Sequence, residues 1–146
     1  MRNTIPPYKA VDEIAAYIAD RLGTPWSADG LHCWALAQQT VSDLFGYNLP
    51  IITVAPDGRR TKADLINGHA EMANWKEVAE PPFWAVALMH RRGSPPDLLE
   101  HAGVYFRLDG GAVFHTDEPH GVVLDYIWEI PRFRTWAAPR LFIPRD

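Results

Sequence analysis

Apolar positions repeat every three or four residues in two segments near the start of the chain. The first segment covers positions 11 to 22, and the second begins at Cys33 and continues to Leu44. This spacing buries one face of an α-helix, so we predict two helices. Gly23 ends the first helix, and Gly46 suits the left-handed position that commonly follows a helix.

The pattern changes from helical to extended after Pro81 and Pro82. Before that point, a third helix is predicted from Thr61 to Trp75, while Ile51–Val54 is too short to assign. Five short apolar segments that follow predict strands, the last closing an edge of the sheet: Phe83–His90, His101–Leu108, Ala112–His115, Val122–Tyr126 and Arg140–Ile143. Helices followed by hairpin-linked strands are typical of the α+β class. We expect N-terminal helices packed on a central antiparallel sheet, in one domain over residues 1–146.

Composition and charge exclude several classes of function. A net charge of -4 gives no general attraction to nucleic acid or to anionic membranes. The single cysteine excludes an internal disulfide framework. The N-terminus lacks the apolar core of a secretory signal, and no apolar run is long enough to span a membrane. We therefore expect a protein made in the cytoplasm, with no nucleic-acid partner and no membrane span.

Cys33 lies in the first turn of the second predicted helix, on its apolar face. Unpaired backbone N–H groups and the positive end of the helix dipole favour a thiolate at such a position. A lone cysteine is also often a small buried apolar residue, so this position alone does not establish a nucleophile. A nucleophilic thiol further needs a general base and a third group that orients the base.

Two histidines in the strand region are candidates for those two roles. His101 begins one predicted strand and His115 ends the next. A hairpin loop of odd length places both imidazoles on one face of the sheet, and the loop Phe106–Gly110 would set them directly opposite each other. A two-residue Asp109–Gly110 turn would instead separate them. Gly103 leaves room for a close approach.

These segments together resemble the NlpC family of papain-like cell-wall cysteine peptidases, in the variety that long-tailed phages carry as a tail-tip assembly protein. The resemblance covers most of the chain, from Leu22 to Val123. It depends on segments that follow the family's order: Gly23–Trp26, Cys33–Trp34, Gly46–Pro50, His101–Tyr105, Ala112–His115 and Gly121–Val122.

The resemblance implies a papain-like NlpC fold that hydrolyses peptidoglycan stem peptides without a metal or other cofactor. It also implies phage tail-tip proteins as partners and the virion tail as the place from which the protein acts on the cell wall. The site residues that it implies are the nucleophile Cys33, the base His101, the orienting residue His115 and the substrate-groove residues Trp26, His32 and Trp34.

Two departures from the family pattern leave a second function open. His32 stands where the family usually has Asp, and Phe83–Trp84 stands where Gly-Asp commonly opens the strand. The same fold without turnover would serve as a tail-assembly or docking module, with Arg132–Phe142 offering basic and aromatic residues to a partner. A related acyltransferase branch places its histidine before the cysteine, unlike this chain. A further alternative is a metal site, although its ligand spacing matches no strong pattern, from His115, Asp117, Glu118 and His120.

Overall fold

The structure, a computed structural model, describes residues 8–27, 30–49, 74–117 and 120–145. Two helices precede an antiparallel sheet over these residues, which confirms the α+β class. In chain order the elements are α1 (Tyr8–Arg21), α2 (Cys33–Phe45), β1 (Trp75–Val78), β2 (Trp84–Met89), β3 (His101–Phe106), β4 (Ala112–Asp117), β5 (Gly121–Tyr126), α3 (Ile130–Phe133) and β6 (Arg140–Pro144).

The strand order is β1-β6-β2-β3-β4-β5. Our prediction that Arg140–Ile143 closes an edge of the sheet is wrong, because β1 pairs along the outer side of β6. Trp75, predicted as the end of a helix, begins β1 opposite Pro144, and its indole packs against Trp84 and Tyr47. The rest of that predicted helix up to residue 73, and Ile51–Val54, lie outside the described residues.

The core consists of two apolar layers, one on each face of the sheet. On one face, α1 and α2 pack against alternate residues of β3, among them Val104 and Phe106. The other layer includes Tyr105 and Val113, with Ile130 of α3 packed against them. Strands β2 and β3 are buried on both faces, which is why they are nearly continuous apolar runs in the sequence.

Helix α2 has a specific residue at each end. His32 precedes Cys33 with extended backbone (φ -95°, ψ 178°), and its Nδ1 accepts a hydrogen bond of 3.3 Å from the backbone N–H of Ala35. The imidazole therefore performs the capping role that Ser, Asn or Asp usually has. Gly46 ends the helix in the left-handed conformation (φ 72°), as predicted, and its N–H donates to the carbonyl of Ser42.

The loop of the β3–β4 hairpin sets the relative position of the two histidines. The ladder ends where Phe106 pairs with Ala112, so the loop covers residues 107 to 111. At its tip, Asp109 and Gly110 have positive φ (49° and 87°), and the Gly111 N–H donates to the carbonyl of residue 108 at 2.9 Å. The Asp109–Gly110 turn thus forms, but β3 contributes one additional residue before it. The loop length is therefore odd.

Candidate active site

His101 and His115 lie on the same face of the sheet, as an odd-length loop predicts. Nε2 of His101 is 2.8 Å from Nδ1 of His115, and the two rings are nearly perpendicular at 78°. They do not stand directly opposite each other, as we had predicted. The ladder pairs Val104 with Phe114, so one step further along it Gly103 faces His115. His101 reaches His115 diagonally because the loop begins one residue later than the predicted Phe106–Gly110.

Gly103 makes this diagonal contact sterically feasible. A Cβ at this position would lie 2.9 Å from the Cβ of His115, 2.9 Å from the carbonyl oxygen of Phe114 and 2.9 Å from Cγ1 of Val113. Any other residue would therefore push β4 away from β3 at the level of the two imidazoles. The room that the sequence predicted at Gly103 is thus used by His115.

The hydrogen-bonded chain continues beyond the histidines. Nε2 of His115 is 2.8 Å from Oδ2 of Asp125, which reaches the same face from β5. The guanidinium of Arg134 holds this carboxylate with two bonds, from Nε to Oδ2 at 2.8 Å and from Nη2 to Oδ1 at 2.9 Å. We call the series His101, His115, Asp125 and Arg134 the relay.

The relay is buried and contains a carboxylate that stays ionised. His101 and His115 are 2% and 0% exposed, and Asp125 is 7% exposed. Burial alone would raise the pKa of the Asp125 carboxyl, but hydrogen bonds from His115 and Arg134 outweigh it and hold that pKa well below its usual range. The same hydrogen bond raises the pKa of Arg134. Asp125 is therefore an anion at neutral pH, with Arg134 as its cationic partner.

A tryptophan fixes the ring of His101 from the side. The indole of Trp136 stacks on this imidazole with centroids 4.4 Å apart and an interplanar angle of 4°. Its Nε1–H donates to Oδ2 of Asp117 at 2.8 Å, and the guanidinium carbon of Arg91 lies 4.7 Å from its ring centroid. These contacts restrict rotation of the His101 ring and favour a positive charge on it.

Sequence reasoning missed the contributions of Asp125, Arg134 and Trp136. It assigned Arg132–Phe142 to a partner surface, whereas within this segment Trp136 is buried and Arg134 binds Asp125. Arg140 is likewise engaged, by the carboxylates of Glu77 and Asp97. The only signal for Asp125 in the sequence is an acidic residue inside an otherwise apolar strand.

Cys33 begins the helix that packs against both strands of the histidine pair, β3 and β4. It is buried, at 2% exposure. The loop before it is fixed to β5: the Gly23 N–H donates to the carbonyl of Val122, and the Val122 N–H donates to the carbonyl of Thr24, both at 2.9 Å. Gly121 allows this approach, since a Cβ there would lie 2.5 Å from the Thr24 oxygen.

The three residues that the resemblance assigns to the substrate groove have different environments. Trp26 is half-buried in the loop before α2, and His32 caps that helix. Trp34 is 1% exposed within the core, which favours a packing role.

The predicted metal ligands are occupied by other contacts or lie outside the described residues. Among the residues that the structure describes, no three His, Cys, Asp or Glu side chains are grouped to hold an ion. His115 binds Asp125 and Asp117 binds Trp136, while Glu118 lies outside the described ranges.

Comparison with known proteins leaves the chemistry to be argued from the site itself. In the part of the chain that the structure covers, no helix has both the length and the apolar character needed to cross a membrane. No protein-family model matches the chain, and no curated protein matches it.

Proposed function

We propose that the protein is a cysteine peptidase of the papain-like NlpC type, which hydrolyses an amide bond in peptidoglycan stem peptides. The observation that carries the proposal is the relay, a buried chain of hydrogen bonds that connects an ionised carboxylate to the imidazole at the start of β3. An imidazole oriented by a second polar group is what a general base for a thiol requires. The resemblance to NlpC peptidases supplies the substrate class and the association with phage tails.

In this mechanism, Sγ of Cys33 attacks the amide carbonyl carbon and its proton passes to His101. Because Nε2 of His101 faces His115, the accepting atom is Nδ1. The C–N bond of the tetrahedral intermediate then breaks, and His101 gives the proton to the departing amine. Water, deprotonated by the same imidazole, hydrolyses the thioester and releases the free thiol. The mechanism requires Sγ to reach hydrogen-bond distance of Nδ1.

The N-terminus of α2 supplies the electrostatic part of the proposal. The backbone N–H of Cys33 lies in the first turn of the helix, where N–H groups have no intrahelical acceptor. Such a donor can stabilise the oxyanion of the tetrahedral intermediate, and the helix dipole acts in the same direction. His32, as the capping residue, keeps this turn in place.

The test is digestion of purified muropeptides with product analysis by mass spectrometry. Cys33→Ala should abolish cleavage, and His101→Gln should lower kcat by about 10²- to 10⁴-fold, since general-base catalysis is typically of that size. His120→Ala is the matched control, because this histidine is exposed on the loop before β5. Cleavage retained by a folded Cys33→Ala variant would exclude the mechanism.

A thiol assay tests the activation of Cys33 without any substrate. At mildly acidic pH, iodoacetamide should alkylate wild-type Cys33 faster than the cysteine of an unstructured peptide, and His101→Gln should remove the difference. Equal rates in wild type and variant would show that His101 does not act on the thiol, whatever the substrate.

A second function, docking to phage tail-tip proteins without turnover, is favoured by an exposed aromatic cluster. Trp128 and Phe133 are 55% and 69% exposed, and Tyr126 is 40% exposed with its ring parallel to that of Trp128. Purified tail-tip proteins should then bind wild type and lose affinity for a Trp128→Ala, Phe133→Ala double variant. Muropeptides would remain uncut by either protein.

A further inference from the structure

We infer that Asp125, held by Arg134, is a positioning residue that selects the proton-accepting tautomer of His101 through His115. The catalytic consequence of this inference rests on the proposed function. The tautomers themselves follow from the donors and acceptors along the relay.

The assignment begins at the outer end of the relay, where the roles are fixed. A guanidinium can only donate, and an ionised carboxylate can only accept. Asp125 therefore accepts from Nε and Nη2 of Arg134. Its third contact, at 2.8 Å, is with Nε2 of His115, and this nitrogen must carry a hydrogen.

The tautomer of His115 then determines that of His101. A neutral imidazole has one N–H, so a hydrogen on Nε2 makes Nδ1 of His115 an acceptor. Nδ1 lies 2.8 Å from Nε2 of His101, which must therefore be the donor. The single hydrogen of a neutral His101 is thus on Nε2, and its Nδ1 offers a lone pair. This is the atom that the mechanism needs as the base.

Without the carboxylate, the opposite arrangement satisfies the same pair of rings. His115 could donate from Nδ1 to Nε2 of His101, and His101 would then carry its hydrogen on Nδ1. In that tautomer the nitrogen available to the thiol is already protonated. In the native relay it would direct an imidazole lone pair at the buried Asp125 anion, which is an unfavourable contact.

The direct test is ¹⁵N nuclear magnetic resonance of histidine-labelled protein, in which long-range couplings identify the protonated ring nitrogen. In wild type, at a pH where both rings are neutral, His101 and His115 should both carry the hydrogen on Nε2. Asp125→Ala should shift both toward the Nδ1-protonated form. The matched control is Glu77→Ala, which removes a carboxylate that Arg140 also binds with two bonds, at 3.0 and 2.8 Å. It should leave both tautomers unchanged.

Kinetics separate positioning from a merely structural role. Asp125→Ala should lower kcat on muropeptides by about 10- to 1,000-fold with little change in KM, as expected for an interaction made in the transition state. Glu77→Ala should leave both constants unchanged.

The outcomes distinguish the two proposals. A wild-type spectrum with the hydrogen on Nδ1 of either ring overturns the inference even if Asp125→Ala does not fold. Unchanged tautomers or an unchanged kcat in a folded Asp125→Ala variant also overturn it. Expected spectra from a protein that cleaves no muropeptide would uphold the tautomer assignment and refute the proposed function instead.

Discussion

Replacing Gly103 by alanine tests whether the spacing between β3 and β4 is set by the contact of the two histidines. The added Cβ would lie 2.9 Å from two carbon atoms, whereas carbons at optimal separation are about 3.5–4.0 Å apart. Its third neighbour, also at 2.9 Å, is the carbonyl oxygen of Phe114, whose backbone pairs with β3 and β5. None of these atoms is the far end of a flexible side chain, so the strands themselves must separate.

The expected cost follows from two opposing effects. Overpacking of a well-packed core typically destabilises by about 1–3 kcal/mol. Alanine also restricts the unfolded chain, which returns about 0.4–1 kcal/mol where the native backbone is compatible. Gly103 is not among the glycines with positive φ, so this gain applies. We expect a net loss of about 1–2 kcal/mol in the free energy of unfolding.

The same displacement should affect catalysis more than stability. Separating β3 from β4 lengthens the hydrogen bond between His101 and His115, and a misplacement of about 1 Å can cost about 10²-fold in rate. Urea denaturation followed by tryptophan fluorescence should give a lower midpoint with an unchanged m-value. Muropeptide digestion should give a reduced kcat.

Gly30→Ala is the matched control for this experiment. Gly30 is exposed, and the nearest neighbour of its Cβ would be the rotatable Oγ of Ser27 at 3.1 Å. This variant should retain the wild-type midpoint and activity. If Gly103→Ala also retained the wild-type midpoint, the argument from close approach would be refuted.

Two further predictions concern stability. Burial, followed by the hydrogen bond to Asp43, raises the pKa of Tyr17 from 10.0 to about 12. Between those values the native state keeps a proton that the unfolded state releases, so the free energy of unfolding should fall as pH rises through this window. Urea denaturation at several pH values should show a shallower fall for Tyr17→Phe, and an equal fall in both proteins would contradict the assignment. His32→Ala should destabilise by about 1 kcal/mol because the Ala35 N–H loses its acceptor, whereas His32→Asn should restore the cap; equal melting temperatures for wild type and His32→Ala would contradict this.

Local patterns were sufficient to predict most elements of the fold. The helical stripe from Cys33 and the left-handed Gly46 agree with α2, and the short apolar segments agree with β2 to β5. The position of β6 could not be predicted in this way, because it depends on pairing with β1, more than sixty residues earlier in the chain. Helical spacing also gave no sign that Trp75 would be withdrawn into a strand by its contact with Trp84.

The hairpin shows how a correct local prediction can leave the register undecided. Turn chemistry predicted that Asp109–Gly110 would form a turn, and it does. The parity was decided by Arg107, whose N–H donates to the carbonyl of Phe83 beside β2 at 2.7 Å. That contact joins segments more than twenty residues apart. The prediction that both histidines share a face was confirmed, but their diagonal relation could be read only from the structure.

The charges of the relay indicate why orientation, rather than charge, is the main contribution of Asp125. Its anion already has a cationic partner in Arg134, so the pair has little net charge to offer an imidazolium two rings away. A carboxylate alone at this depth would have to be desolvated without compensation, and it would be protonated rather than ionised. Arg134 thus keeps Asp125 an obligate acceptor while cancelling most of its field. What reaches His101 through His115 is the position of a hydrogen atom.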